Sequence, residues 1–184
     1  MALAKTPICN FGEKAKSFSL ESTKNKKISL EDIKGENGTL IMFICNHCPY
    51  VKAIIKDIVD DVKFLENLGI KSAAIMSNDV KNYPDDSFKN MILFSKSHGF
   101  TFPYLIDETQ QVAKQYGAVC TPDFFGYNKN LELQYRGRIR ELRDLKPVRE
   151  GDSDLKNAME LIAKSGKGPK NQIPSMGCSI KWFK

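Results

Sequence analysis

Leu40-Ile41-Met42-Phe43-Ile44-Cys45-Asn46-His47-Cys48-Pro49-Tyr50 is the stretch from which the fold of this chain can be read. Its five uninterrupted apolar residues predict a strand buried on both faces, as in the middle of a parallel sheet. From Pro49 onward the apolar residues are Val51, Ile54, Ile55, Ile58, Val59, Val62, Leu65 and Leu68. Intervals of three and four put them on one face of a helix. Pro49 suits the first turn, where its missing N–H goes unused, and Gly69 marks the C-terminal stop. Ile70 to Ser77 predicts the next strand, so residues 39–77 read as a strand–helix–strand unit. Cys45 and Cys48 therefore fall where a strand hands over to a helix.

On either side of this unit the pattern continues. Period-two alternation in 17–33 around a polar Lys/Asn turn predicts a short hairpin, and Gly35 to Gly38 a turn. Asp85 to His98 predicts a helix, Tyr104 to Ile106 a short strand, and Asp107 to Tyr116 a helix closed by Gly117. Residues 123–127 and 131–136 flank Asn128-Lys129-Asn130 as a second hairpin, and Asp154 to Lys164 is a last helix. Residues 166–184, punctuated by Gly and Pro, predict an extended C-terminal tail. The expected architecture is α/β: one domain over 1–184, with a central mixed sheet and helices on both faces.

Composition narrows the chemistry. An apolar fraction of 41% and a charged fraction of 27% belong to an ordinary globular protein. The net charge of +6 is scattered among acids with no basic block interleaved with aromatics, so no nucleic-acid partner is expected. No apolar run has signal-peptide or membrane-spanning length, and the expectation is a cytoplasmic protein with no membrane partner. Five cysteines, at 9, 45, 48, 120 and 178, are an odd number unlike a secreted disulfide framework. In a reducing compartment a C-x-x-C pair is redox-active or metal-binding.

In the redox reading Cys45 is the nucleophile, its thiolate favoured by the amides and dipole of the 49–68 helix. Cys48 resolves the mixed disulfide. His47 stabilises the thiolate electrostatically and makes the disulfide easier to reduce, and Asn46 is a candidate helix cap. A zinc or iron–sulfur site lacks a second C-x-x-C or Cys/His pair with ligand spacing. Haem attachment would need histidine directly after Cys48, where Pro49 stands. No metal and no cofactor are assigned. Cys120-Thr121-Pro122 precedes an apolar strand. From local sequence a trans bond is expected there, since only about one X–Pro bond in twenty is cis. Arg136, Arg138, Arg140 and Arg143 read as solvated residues on an edge strand. Cys9 and Cys178 read as reduced thiols or packed small hydrophobes, with a Cys9–Cys178 bridge as the alternative.

Several segments stand together in an order that resembles the thioredoxin-fold superfamily and, within it, the redoxin/AhpC–TSA-like branch. These are Phe18-Ser19-Leu20 with Ser29-Leu30-Glu31-Asp32, the strand into Cys45-Asn46-His47-Cys48-Pro49-Tyr50, and Phe102-Pro103-Tyr104-Leu105 with Asp107-Glu108. They continue through Ala113 to Val119, Thr121-Pro122, Tyr135-Arg136-Gly137-Arg138 and the closing Gly177-Cys178-Ser179-Ile180-Lys181-Trp182. The resemblance implies a thiol–disulfide oxidoreductase with Cys45 attacking, Cys48 resolving, His47 tuning the pair, and Thr121 with a cis Pro122 facing them as substrate-binding residues. Disulfide-containing proteins or small thiols would be its substrates and a cellular thiol its reductant, with Cys120 as an additional redox thiol. Two departures stand out: Ile44 replaces a common tryptophan, and no acid interrupts Leu40–Ile44. Two other readings remain, a peroxiredoxin-like thiol peroxidase with antioxidant activity, using Cys45 or Cys48 with Cys120 or Cys178 in resolution, and a non-enzymatic metal carrier or thiol sensor. The peroxidase motif Pro-x-x-x-Thr-x-x-Cys fails in both registers, which put Ile41 and Cys45, or Gly38 and Met42, at its Pro and Thr positions.

Overall fold

A computed structural model describes residues 2–7 and 10–184; Cys9, and any bridge from it to Cys178, lies outside them. Strand β1 (Leu3–Lys5) is followed by the hairpin β2 (Ser19–Ser22) and β3 (Lys27–Ser29). Then come β4 (Gly38–Phe43), α1 (Pro49–Glu66) and β5 (Ile70–Met76), the unit expected from the apolar pattern. After a 3₁₀ turn at Pro84–Asp86 the order is α2 (Phe88–Ser97), β6 (Tyr104–Ile106), α3 (Gln111–Tyr116), β7 (Cys120–Thr121), β8 (Asp123–Tyr127) and β9 (Leu133–Tyr135). The ribbon β10 (Leu142–Arg143) and β11 (Lys146–Pro147), α4 (Asp154–Ser165) and β12 (Met176–Ser179) complete the chain.

Seven strands form one mixed sheet in the order β3-β2-β6-β5-β4-β8-β9, with β4–β5 and β5–β6 parallel and the other pairs antiparallel. β4 is buried along its whole length, and its alternate residues feed different cores. Leu40, Met42 and Ile44 pack with Ile54, Ile58 and Val62 of α1 and Met159 and Ile162 of α4. Ile41 and Phe43 pack with Val112, Ala113, Tyr116 and Phe125 on the opposite face. That is why the sequence of β4 is continuously apolar rather than alternating. On α1 every predicted inward residue from Val51 to Leu65 is buried, each such side chain worth roughly 1.5–3 kcal/mol of gross stabilisation. Among the described residues no helix is long and apolar enough to cross a membrane.

The structure departs from the pattern at three places that bear on the site. Pro84–Asp86 and α2 are separate, not one helix from 85, because Asp86 spends its carboxylate on a distant loop rather than on capping α2. α3 begins at Gln111, four residues later than expected, where the Asp107 carboxylate accepts the amides of Val112 (3.4 Å) and Ala113 (2.9 Å). The tail is a strand over part of its length: β12 lies between β1 and β7 in a second, antiparallel sheet.

Of the four arginines read as solvated, Arg143 is exposed, whereas the other three are engaged. Arg136 is buried and donates to Asp123 (3.0 Å) and the Gly117 carbonyl (2.7 Å), Arg138 to Asp154 (2.8 Å), and Arg140 lies 3.0 Å from Asp57. Each carboxylate partner comes from another element, which the arginine spacing does not reveal.

Candidate active site

β4 and β5 are parallel neighbours, and their C-terminal ends deliver two loops to the same edge of the sheet, the usual place for a ligand in an open α/β sheet. The first loop is Cys45 to Cys48. The second, Ser77 to Ser87, follows β5. A third element, β7 with the bond after it, comes from the far side. The Thr121–Pro122 peptide bond is cis, as the resemblance implies and against the local expectation.

Cys45 Sγ lies 3.3 Å from the Thr121 hydroxyl, and Cys48 Sγ donates to the Thr121 carbonyl at 3.2 Å. Both cysteines are fully buried. Cys48 immediately precedes α1 in extended conformation. Its thiol is pulled down to about 5, first by the S–H of Cys45 and then, against burial, by the S–H of Cys178 and the Val51 N–H. Cys45 is pushed up by its bond to Cys48, by burial and by the negative Asp86. The helix-terminus effect expected at the first sulfur thus falls on the second, because the amide that serves the pair points at Cys48. Between the two, negative charge is favoured on Cys48 over Cys45.

Asp86 organises the loop. Its fully enclosed carboxylate accepts the amides of Asn46 (2.8 Å) and His47 (3.2 Å), the Asn78 side chain (2.8 Å) and His47 Nδ1 (2.6 Å). Asn46 does not cap α1. Its side-chain amide donates to the Asp85 carbonyl (3.0 Å), and its oxygen accepts the buried Tyr104 hydroxyl (2.9 Å). His47 stacks on Tyr83 with ring centroids 5.8 Å apart. Its imidazole is raised by the Asp86 hydrogen bond, against burial. Burial opposes the shift at Asp86, yet the bonds from His47 and Asn78 hold its carboxyl below the usual range.

This pair makes stability depend on pH. A raised His47 stabilises the fold fully below its unfolded value of about 6.5 and loses that as pH rises through the folded value. A lowered Asp86 contributes fully above about 3.9 and loses that as pH falls through its own folded value. The gap in urea midpoint between wild type and Asp86→Asn is therefore expected to be widest between about pH 4 and 6.5 and to shrink on both sides. A gap that stays constant from pH 3 to 9 would contradict the ion pair.

Of the residues singled out from sequence, Cys45, His47, Cys48, Thr121 and Pro122 converge. Cys120 is buried, its thiol raised by burial and by Asp123, and its Sγ lies 3.5 Å from the Pro122 carbonyl. The sulfur that touches the pair is Cys178, 2.8 Å from Cys48 Sγ. Asp86, Asn78 and Tyr104 were not read as site residues, and Cys178 only as a resolving thiol of the peroxidase reading. Only Pro84-Asp85-Asp86, a polar turn following a parallel strand, carried a usable signal. Among the described residues Cys45, His47 and Asp86 are the ones that could hold a metal, their donor atoms lying within 4.8 Å of one another; His47 and Asp86 already bond to each other there. Beside Pro122 runs a groove of about 290 Å³ lined by Tyr50, Arg138, Leu142, Ile173 and Met176 among others.

Comparison with known proteins agrees with this architecture. The profile of the AhpC/TSA family matches residues 11–142. The thiol-disulfide oxidoreductase ResA of Bacillus subtilis (strain 168) is 28% identical over 117 residues, 64% of this chain, and the match spans 61% of that relative's length. The crystal structure of an uncharacterized conserved protein from Geobacillus kaustophilus superposes with a TM-score of 0.94 at 38% identity, covering 100% of this chain and 97% of that one. The thioredoxin domain of a thiol-disulfide oxidoreductase from Bacteroides vulgatus has a TM-score of 0.60 at 14% identity over 74% of this chain and 91% of its own. This last likeness concerns the fold alone, which is thioredoxin-like.

Proposed function

The chain belongs to the AhpC/TSA family, and from that premise we propose that it is a cytoplasmic thiol–disulfide oxidoreductase cycling a Cys45–Cys48 dithiol and disulfide. The observation that carries the reading is the pair of C-x-x-C sulfurs at the β4–α1 junction, both bonded to Thr121 beside the cis Pro122. The relative from Bacillus subtilis, named as a thiol-disulfide oxidoreductase, supports it.

The chemistry runs as follows. A proton moves from Cys45 to Cys48, leaving a Cys45 thiolate that accepts the Thr121 hydroxyl. This thiolate attacks one sulfur of a substrate disulfide; the other sulfur leaves as thiolate and takes up a proton. Cys48, its thiolate still favoured by the S–H of Cys178 and the Val51 N–H, gives up its proton and attacks Cys45 Sγ. The second substrate sulfur leaves, so the substrate gains two electrons and the protein holds a Cys45–Cys48 disulfide. His47, its imidazole raised by Asp86, favours negative charge on Cys48 when protonated, and so the reduced form. Proteins or small molecules carrying disulfides are the substrates and a cellular thiol the reductant, the groove beside Pro122 being the approach for an extended segment. A peroxidase reading lacks the Pro-x-x-x-Thr-x-x-Cys register.

Equilibration in glutathione buffers, followed by thiol trapping and mass spectrometry, tests the cycle. Cys48 is expected to lose alkylation in a two-electron step, and a Cys45–Cys48 disulfide peptide to be recovered. If both stay alkylatable in the most oxidising buffer, the reading fails.

A further inference from the structure

The backbone edge that an extended substrate would pair with is occupied by the chain's own C-terminal strand. β12 runs antiparallel to β7, with Cys178 opposite Thr121 and Ser179 opposite Cys120. Gly177 crosses the Thr121–Pro122 peptide so closely that an added Cβ would lie 2.1 Å from the Thr121 oxygen and 3.0 Å from Pro122 Cδ. Ser175 Oγ donates to the Pro122 carbonyl at 2.7 Å. Beyond the strand, Lys181 N donates to Asn78 Oδ1 and Phe183 N to Gln110 Oε1, each at 2.8 Å. β1 covers the outer edge. This bracing holds Cys178 Sγ 2.8 Å from Cys48 Sγ in the main apolar core, where a disulfide needs only a small further approach to about 2.05 Å.

We propose that Cys178 is the third redox thiol of this site, and that a Cys45–Cys48 disulfide passes internally to Cys48–Cys178. This rests on the reading of Cys45 and Cys48 as the cycling pair. In the step, Cys178 loses its proton and its thiolate attacks Cys48 Sγ. The Cys48–Cys178 bond forms, the Cys45–Cys48 bond breaks, and Cys45 leaves as a thiolate that takes up the proton. One disulfide and one thiol stand on each side, so no outside oxidant is required. Cys45 is thereby restored to its reduced form while the oxidising equivalent moves to the strand.

The electrostatics suit the order of events. In the reduced protein the Cys178 thiol is raised to about 12, by burial first and then by the bond and the negative charge of Cys48. Once Cys48 is tied into a disulfide, it carries no charge, and only burial still opposes the Cys178 thiolate. Cys178 is thus quiet beside the reduced pair and becomes the better nucleophile only when there is a disulfide to attack.

Oxidation with glutathione disulfide, acid quenching, alkylation and mass spectrometry of disulfide-linked peptides tests this in wild type, Cys45→Ser and Gly177→Val. Wild type is expected to yield both Cys45–Cys48 and Cys48–Cys178 peptides, and Cys45→Ser to yield Cys48–Cys178 in most molecules. Gly177→Val, which forces the strand off Thr121, should keep Cys45–Cys48 and lose Cys48–Cys178 at least ~10-fold, the wild-type peptide being the reference. The proposal is overturned if Cys48 of the Cys45→Ser protein is recovered joined to glutathione with Cys178 alkylated. It is equally overturned if wild type contains no Cys48–Cys178 peptide at any stage of oxidation, which holds whether or not the serine variant folds, or if Gly177→Val forms that bond as well as wild type. Absence of any disulfide containing Cys45 from wild type would instead strike at the oxidoreductase reading itself.

Discussion

A Cys45→Ser protein is expected to reduce insulin disulfides, with a small dithiol as electron source, on the order of 10³-fold or more slower than wild type. The nucleophile in disulfide exchange is a thiolate, and a serine hydroxyl does not ionise or attack sulfur at neutral pH. The substitution is mild for the fold, since a hydroxyl of similar size still faces the Thr121 hydroxyl that Cys45 Sγ meets at 3.3 Å. Cys48→Ser should behave differently: Cys45 still attacks, but nothing within the pair resolves the adduct, and substrate stays covalently attached at Cys45. The comparison is informative because Cys48, not Cys45, is the thiol that is pulled down. Should Cys45→Ser stay within tenfold of wild type while Cys48→Ser loses all turnover, the attacking role would belong to Cys48.

Replacement of Arg136 by alanine is expected to lower stability by about 3–5 kcal/mol, the usual result of stranding a buried charge. The Asp123 side chain is fully enclosed, Arg136 is 4% exposed, and the pair is 3.0 Å apart. The guanidinium also stacks over Phe125, 4.4 Å from the ring centroid, and holds the Gly117 carbonyl at 2.7 Å. Asp123 directly follows Pro122, so the same ion pair anchors the segment facing the two cysteines. Urea unfolding measures the loss. Asp123→Asn combined with Arg136→Met should recover much of it, because the charge left without a partner is what costs. A loss under about 1 kcal/mol in the alanine variant would mean that Asp123 is neutral or solvated in the folded protein.

How much of this was legible beforehand depends on the range of the forces involved. The β4–α1–β5 unit was readable because the apolar periods of strands and helices are local properties. The Thr121–Pro122 step was recognisable through its resemblance, whereas the cis bond ran against the local expectation. Asn46 was misassigned because a side-chain amide next to a helix start looks like a cap. In the fold, Tyr104 and the Asp85 carbonyl claim it instead. Arg136, Arg138 and Arg140 looked solvated because acidic partners of each lie on other elements.

The chain by itself determined the strand–helix–strand frame, the two faces of β4 and the position of Cys45 and Cys48 at its end, all set by residues within a few turns of one another. Folding alone decided which groups surround those sulfurs: Asp86 reaches Asn46 across 40 positions of the chain, Thr121 meets Cys45 across 76, and Cys178 meets Cys48 across 130. At such separations neither steric periodicity nor capping couples the residues. Only the parallel pairing of β4 with β5 and the return of β12 onto β7 bring them within hydrogen-bond distance, and that proximity decides which thiol carries the charge.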